Sequence, residues 1–384
     1  MTNNPNQPQQ EALELHKKLR GKISVTAKDS IADAKKLSLY YTPGVGAVSS
    51  YVAEHPDEAR EYTWLNNTVA IISDGSAVLG LGNLGPVGAL PVMEGKSMLF
   101  KQFAGIDGVP IVLDVHSADD IVAAVKAIAP SFGAINLEDI AAPICFEVEE
   151  RLKAELPIPV MHDDQHGTAV VVLAGLINAM KVVDKQLGSC KVAVSGVGAA
   201  GVAIMKLVKL YAPDTEIIAC DSKGIIHTGR GDLNSTKHAL LDSETIATSY
   251  DGDLAVAVSG ADVFIGVSQP GVLKPEMIAT MASGSVIFAL ANPVPEVMPD
   301  VATEAGAAVV ATGRSDFPNQ VNNALAFPGI FRGALDNKIV RITDEHKITA
   351  AETIAAFIEK PTADKIIPSI FAQGLTKSIA GKIV

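Results

Sequence analysis

The chain has 384 residues, 48% of them hydrophobic and 19% charged, with 43 acidic against 31 basic side chains and a net charge of −12. That length implies two domains sharing a cleft, and the apolar fraction excludes a disordered chain. The negative charge argues against nucleic acid and anionic membrane surfaces as partners. Cys145, Cys190 and Cys220 show no C-x-x-C spacing, so buried thiols in a reducing compartment are expected rather than a disulfide framework.

The opening MTNNPNQPQQ is polar and aperiodic, without a basic n-region or an apolar h-region. The most apolar stretch, Thr168 to Met180, is shorter than the roughly 20 residues of a membrane span, so a cytoplasmic protein is expected. Helix-forming composition covers Glu11 to Arg20. Strands follow at Thr68 to Ser73 and Val109 to Val115, then a helix from Ser117 to Ala129 and a strand from Gly133 to Leu137. Ser117 caps that helix and Pro130 closes it. Pro157 and Pro159 punctuate the chain before Val160, which divides it into residues 1–160, an α/β domain, and residues 161–384.

The second part opens with an apolar helix from Gly167 to Val183. Strands follow at Lys191 to Ser195, Glu216 to Cys220, Asp262 to Val267, Ser285 to Ala291 and Ala307 to Ala311, with a helix to Tyr211 after the first. Regular alternation of this kind predicts a doubly wound parallel sheet of the Rossmann type, and so an α/β fold throughout. Helices at Thr349 to Glu359 and Ala363 to Ile383 are expected to close the chain against the first domain.

Val194-Ser-Gly196-Val-Gly198-Ala-Ala200-Gly201 sets G-x-G-x-x-G between a strand and a helix, where amide donors and the helix dipole hold a pyrophosphate. Asp221 follows Gly201 by 20 residues at the end of the next strand, where a carboxylate accepts from a ribose hydroxyl. Ser222 and Lys223 beside it suit a 2′-phosphate, so the choice between NAD and NADP stays open. Ser268 lies in the loop after the Asp262 to Val267 strand, either at the nicotinamide half or in a plain connecting turn.

Glu138 and Asp139 end the Gly133 to Leu137 run, and Asp163 and Asp164 follow another apolar strand. Neighbours on a strand point oppositely, so a turn must begin at Glu138 if both carboxylates are to converge. Four carboxylates at interior strand ends repel without a cation, and oxygen ligands in that number suit Mg²⁺ or Mn²⁺. The competing reading makes Asp163 or Asp164 a helix cap. On sequence alone Lys96 and Tyr41 read as structural, a snorkelling amine and a packed ring.

Tyr41-Thr-Pro-Gly-Val, Asp74-Gly75 with Leu79-Gly-Leu-Gly-Asn-Leu-Gly85, Gly95-Lys96, Leu137-Glu-Asp139, His162-Asp-Asp-Gln-His-Gly-Thr168 and the dinucleotide fingerprint occur together in one order. With Leu290-Ala-Asn-Pro293 and Asn322-Asn-Ala-Leu-Ala-Phe-Pro-Gly329, this series resembles the malic enzyme family, in its short prokaryotic branch, over roughly residues 20 to 335. The resemblance implies oxidative decarboxylation of malate to pyruvate and CO₂ with NAD or NADP and a divalent cation. It makes Glu138, Asp139 and Asp164 the metal ligands, Lys96 the general base and Tyr41 the general acid. Asp163 joins their hydrogen-bond network, Asn292 and Asn323 contact substrate or nicotinamide, and the enzyme is a homodimer. Where long-chain members carry a substrate-binding arginine after Asp-Gly, this chain reads Ser76-Ala77-Val78.

A lysine is too basic to take a hydroxyl proton near neutrality, and an apolar site with a nearby cation would lower its pKa. Three other readings compete: a malolactic or oxaloacetate-decarboxylating enzyme on the same site, a metal-independent two-domain dehydrogenase, and a non-catalytic nucleotide-binding sensor.

Overall fold

The computed structural model describes residues 7–384, and the first six residues of the polar start lie outside them. A helix already begins inside that polar stretch, at Gln7–Leu19. Strands β1 (Thr68–Ser73), β2 (Asp107–Val112), β3 (Ala134–Leu137) and β4 (Val160–His162) form a parallel sheet in the order β2-β1-β3-β4. Strands β5 (Lys191–Ser195), β6 (Glu216–Asp221), β7 (Gly224–Ile225), β8 (Val263–Gly266), β9 (Val286–Ala289) and β10 (Val309–Thr312) form the second, in the order β10-β9-β8-β5-β6-β7. Only β7 is antiparallel. The chain turns back between β5 and β8, and that reversal opens a crevice at their carboxyl ends.

Period-two side-chain direction sorts the strands between apolar layers. Val69 and Ile71 of β1, with Val192 and Val194 of β5, join one central cluster that runs between the two sheets. Ala70 and Ile72 face a separate cluster over the first sheet, and Ala193 faces one over the second. All three cysteines are buried and unpaired.

The helix Asp163–Val183 runs through the central cluster and joins the two sheets. It starts four residues before the expected Gly167, directly after β4, and its 21 residues are long and apolar enough to cross a membrane. Most of its apolar stretch is buried against the two sheets, as expected of a core helix.

Two expectations about helices need correction. Ala363 to Ile383 is mostly irregular, because Pro368 and the left-handed Gly374 (φ +85°) confine the helix to Leu375–Ala380. Helices at Gly85–Ala104 and Phe327–Asp336 were not foreseen, the first because Pro91 interrupts its pattern, and these two pack on each other and on the closing helix. The other closing helix runs over Asp344–Ala356, earlier than the expected Thr349 to Glu359, and lies mainly on Asp163–Val183 instead of the first domain.

Candidate active site

Because β1, β3 and β4 are parallel, their carboxyl ends deliver Asp74, Glu138, Asp139, Asp163 and Asp164 to one edge. Asp139 adopts φ +53°, a left-handed conformation that Asp tolerates better than most residues. This is the turn that adjacent carboxylates need in order to serve one site. Asp163 and Asp164 occupy the first turn of their helix, where anions oppose its dipole. Neither caps it: the N-cap is His162, which makes no side-chain capping bond.

Lys96 enters from the Gly85–Ala104 helix and is 6% exposed. Its Nζ lies 2.7 Å from Glu138 Oε1 and 2.6 Å from Asp163 Oδ2, and sits 4.3 Å above the Phe327 ring. Burial acts to lower the pKa of this ammonium, but Asp163, Glu138 and Asp164 outweigh it and hold the pKa above the usual lysine value. The expected lowering is therefore reversed among these side chains. Asn323 donates to the same Asp163 Oδ2 from 2.6 Å, so a residue of the second half completes a network begun in the first. Gly167 makes room for it, since a Cβ there would lie 1.9 Å from Asp163 Oδ1.

Asp164 accepts from the Asp139 amide at 2.7 Å, and Asn136 donates to Glu138 Oε2 at 2.9 Å. Burial raises the pKa of Glu138 well above the ordinary carboxylate range, with Asp164, Asp163 and Asp139 adding to the rise against Lys96. Burial and the Asp164 charge push Asp139 up to about 7. Asp139 Oδ2 and Asp163 Oδ1 are buried without a hydrogen-bond partner. Among the described residues no three His, Cys, Asp or Glu side chains form a closed ligand array, and Lys96 sits between two of the carboxylates. The donors are nevertheless hard oxygens, crowded, desolvated and partly orphaned. Glu138, Asp139 and Asp164 therefore fit a divalent cation, which compensates such a cluster.

Tyr41 is not brought to this cluster. It is 67% exposed, and its hydroxyl has no hydrogen-bond partner among the described residues. In the loop that lacks the arginine, Ser76 Oγ donates to Asp74 Oδ1 at 2.6 Å and accepts from the Ala141 amide at 2.9 Å, which ties the loop to the Asp139 turn.

At the second edge Gly196 (φ +108°) follows β5, and Gly198 precedes the helix Ala199–Tyr211, whose first turn holds Ala200 and no acidic residue. A Cβ on Gly201 would lie 2.0 Å from the Gly196 carbonyl, whereas one on Gly198 would meet nothing within 4 Å. Gly201 thus permits the close packing of helix and strand, and Gly198 leaves the amide face open to a ligand. The loops fit a dinucleotide pyrophosphate. Ser268 approaches the same turn, 2.9 Å from Ser195 Oγ. Asn292 is exposed, its carbonyl beside Gly80 of the first half, so the two edges face each other across the cleft.

Asp221 stands at the end of β6, but its carboxylate is already engaged. Arg230 donates to both oxygens at 2.8 and 3.0 Å, Lys237 lies 2.5 Å from Oδ2, and the Lys223 amide donates at 2.8 Å. Burial works to raise its pKa, and these donors bring it down to about 2.

Two buried glutamates escaped the sequence reading. Glu296 accepts from the Ser268 amide at 2.8 Å and the Ala291 amide at 2.9 Å, so it fixes the loops that follow β8 and β9. Glu149 accepts from the His162 amide at 2.9 Å and lies 2.8 Å from His166 Nε2, so it clamps the turn carrying Asp163 and Asp164. Neither sits in a recognisable motif: Glu296 stands out only as an acidic residue in the apolar run Pro293 to Pro299, and Glu149 is hidden among Glu147, Glu150 and Arg151.

Two family models match the chain: malic enzyme, N-terminal domain, over residues 20–153, and malic enzyme, NAD binding domain, over residues 165–384. A bifunctional malic/malolactic enzyme of Bacillus subtilis is 52% identical, the match covering 97% of this chain and 91% of the relative. An NAD-dependent malic enzyme of Geobacillus stearothermophilus is 50% identical over 95% of this chain and 76% of its own. The crystal structure of an NAD-dependent malic enzyme from Thermotoga maritima superposes with a TM-score of 0.93 at 49% identity, covering 97% of this chain and 98% of that one. With both halves matched in order and the fold shared throughout, the chain belongs to the malic enzyme family.

Proposed function

We propose that this chain oxidises malate at C2 and releases its C4 carboxylate as CO₂, giving pyruvate, with NAD or NADP as acceptor and Mg²⁺ or Mn²⁺ bound. The observation that carries the reading is Lys96, buried between Glu138 and Asp163 and over Phe327, at the edge where Asn323 joins the two halves. Gly196, Gly198, Ala200 and Gly201 would hold the dinucleotide, which would supply the hydride acceptor, and Glu138, Asp139 and Asp164 would hold the cation, which would supply Lewis-acid polarisation for decarboxylation.

The chain's own residues manage the proton. Lys96 Nζ donates to Asp163 Oδ2 across 2.6 Å, and burial raises the pKa of Asp163 as its partners raise that of Lys96. The coupled pair, rather than a free amine, is the group that exchanges the malate hydroxyl proton. Asn323 holds Asp163 in register, and Phe327 keeps water from the ammonium. Asn292 and Ser268 serve the nicotinamide side, and Asp221 the adenosine ribose.

The working unit is a homodimer in the cytoplasm, divided at about residue 160 into a substrate part and a dinucleotide part. Dimerisation is supported by exposed apolar side chains between residues 13 and 98, including Leu37, Leu39, Tyr40, Leu81 and Val87. Tyr41 stands among them, and its role as general acid is proposed for the assembly that covers this face.

Purified protein supplied with malate, Mn²⁺ and either dinucleotide tests the reading: reduced nicotinamide should accumulate in step with pyruvate. The name of the Bacillus relative favours one second reading, release of lactate with no net reduction, which the same assay separates by its product. Turnover of neither kind would leave a nucleotide-binding protein.

A further inference from the structure

A cavity of about 410 Å³ opens at the opposite, amino edge of the first sheet, beside Asn67, which precedes β1. β1 is six residues long, which puts this cavity about 20 Å from the carboxylate cluster. Lys28, Arg60, Arg332 and Lys338 line it against two carboxylates, Glu61 and Asp336. Four cations to two anions is the reverse of a chain whose net charge is −12.

The cations are also poorly used. Arg60 donates to the Gly133 carbonyl at 2.9 Å, and neither it nor Lys28 has a carboxylate within salt-bridge distance among the described residues. Arg332 spends one nitrogen on Asn67 at 2.6 Å and another on Asp336 at 2.6 Å, while its Nε is buried with no partner. Lys338 reaches Glu61 only at 3.9 Å. Guanidinium groups with free donors in a concave, partly desolvated setting match the oxygens of a carboxylate or phosphate.

We propose that this cavity binds a small dianion, a dicarboxylate or phosphate, at a site separate from the catalytic cleft, and that occupancy is felt there. The link is the helix Phe327–Asp336. Its first residue lies under Lys96, Asn323 just before it holds Asp163, and Arg332 and Asp336 near its other end line the cavity. Ten residues of helix span about 15 Å, so one rigid element touches both sites. Binding itself does not depend on the proposed reaction, whereas the kinetic consequence does.

Calorimetric titration of the full chain with inorganic phosphate and, separately, with succinate tests the site. Wild type should bind at least one of them saturably, and the responding arm identifies the ligand chemistry. Affinity should fall at least about tenfold, equivalent to about 1.4 kcal/mol, both in Arg60→Gln and in the surface double variant Lys28→Gln with Lys338→Gln. The double variant is exposed and should keep its melting temperature, so a loss there cannot be attributed to unfolding. The bound anion should shift the KM for malate in wild type and not in the variants. No saturable binding, or binding that survives both variants, overturns the site; an anion that binds but leaves KM unmoved overturns the coupling. Calorimetric binding without any malate turnover would instead count against the proposed reaction.

Discussion

At the carboxyl edge of the first sheet the working groups are side chains: Lys96 with Glu138, Asp139, Asp163 and Asp164, packed so tightly that Glu138 and Asp139 are pushed toward protonation and two carboxylate oxygens lack partners. At the carboxyl edge of the second sheet the working groups are backbone amides at the start of the helix Ala199–Tyr211, left open at Gly198 and drawn close to the strand by Gly196 and Gly201. The first edge is electrostatically unfinished and suited to a cation and a mobile proton. The second is sterically finished and suited to a rigid ligand. Chemistry and cofactor binding should therefore fail in different ways when each edge is altered.

The largest effect should come from filling the second edge. Gly201→Val places atoms where a Cβ already lies 2.0 Å from the Gly196 carbonyl, so the helix must move off the strand. We expect no measurable dinucleotide binding by fluorescence titration and a stability loss of about 1–3 kcal/mol, typical of overpacking. Normal NAD(P) affinity in that variant would show that close packing of helix and strand is not what forms the site.

The first edge should respond to loss of charge without loss of fold. Asp164→Asn should weaken Mn²⁺ at least about tenfold, given that even residues behind metal ligands have effects of that size. Its melting temperature should stay close to wild type, because Asp164 does not cap its helix. Wild-type metal affinity would remove Asp164 from the ligand set. A much lower melting temperature would show that its bond to the Asp139 amide is the main role.

These two edges also differed in how far the sequence exposed them. The glycine fingerprint is local, and β5 and the helix ending at Tyr211 lie where the residues placed them. Lys96, Glu138, Asp163 and Asn323 are scattered over more than two hundred positions, and only family motifs tied them together. Sequence spacing does not reveal that parallel strands deliver them to one edge. The sign of the Lys96 shift was beyond sequence reading for the same reason, since it depends on two ion pairs under 3 Å that burial strengthens. The helix start at Asp163 is masked in the sequence because acidic residues before Gly167 break the apolar pattern. Sequence spacing alone leaves Asp221 free for a ribose, while Arg230 and Lys237, 9 and 16 residues further on, engage it.

That last point gives the smallest expected effect. Asp221→Asn should raise the KM for NAD about two- to tenfold, the scale of one hydrogen bond, with kcat little changed. It should also improve NADP relative to NAD, because Arg230 and Lys237 lose the carboxylate that occupies them. Steady-state kinetics with both dinucleotides would show it, and unchanged values for both would place the adenosine ribose elsewhere.

The central claim is that the buried Lys96–Asp163 pair carries the proton of the oxidation step and not the carbon–carbon cleavage. Lys96→Ala, checked for folding by thermal melting and for NAD(P) binding by titration, separates the two when malate oxidation and metal-dependent oxaloacetate decarboxylation are measured on the same preparation. Malate oxidation should fall by at least about a hundredfold, the usual scale for removing a positioned proton-transfer group, with most of the oxaloacetate decarboxylation retained. Near wild-type malate oxidation, or an equal loss of both activities in the folded variant, would contradict it.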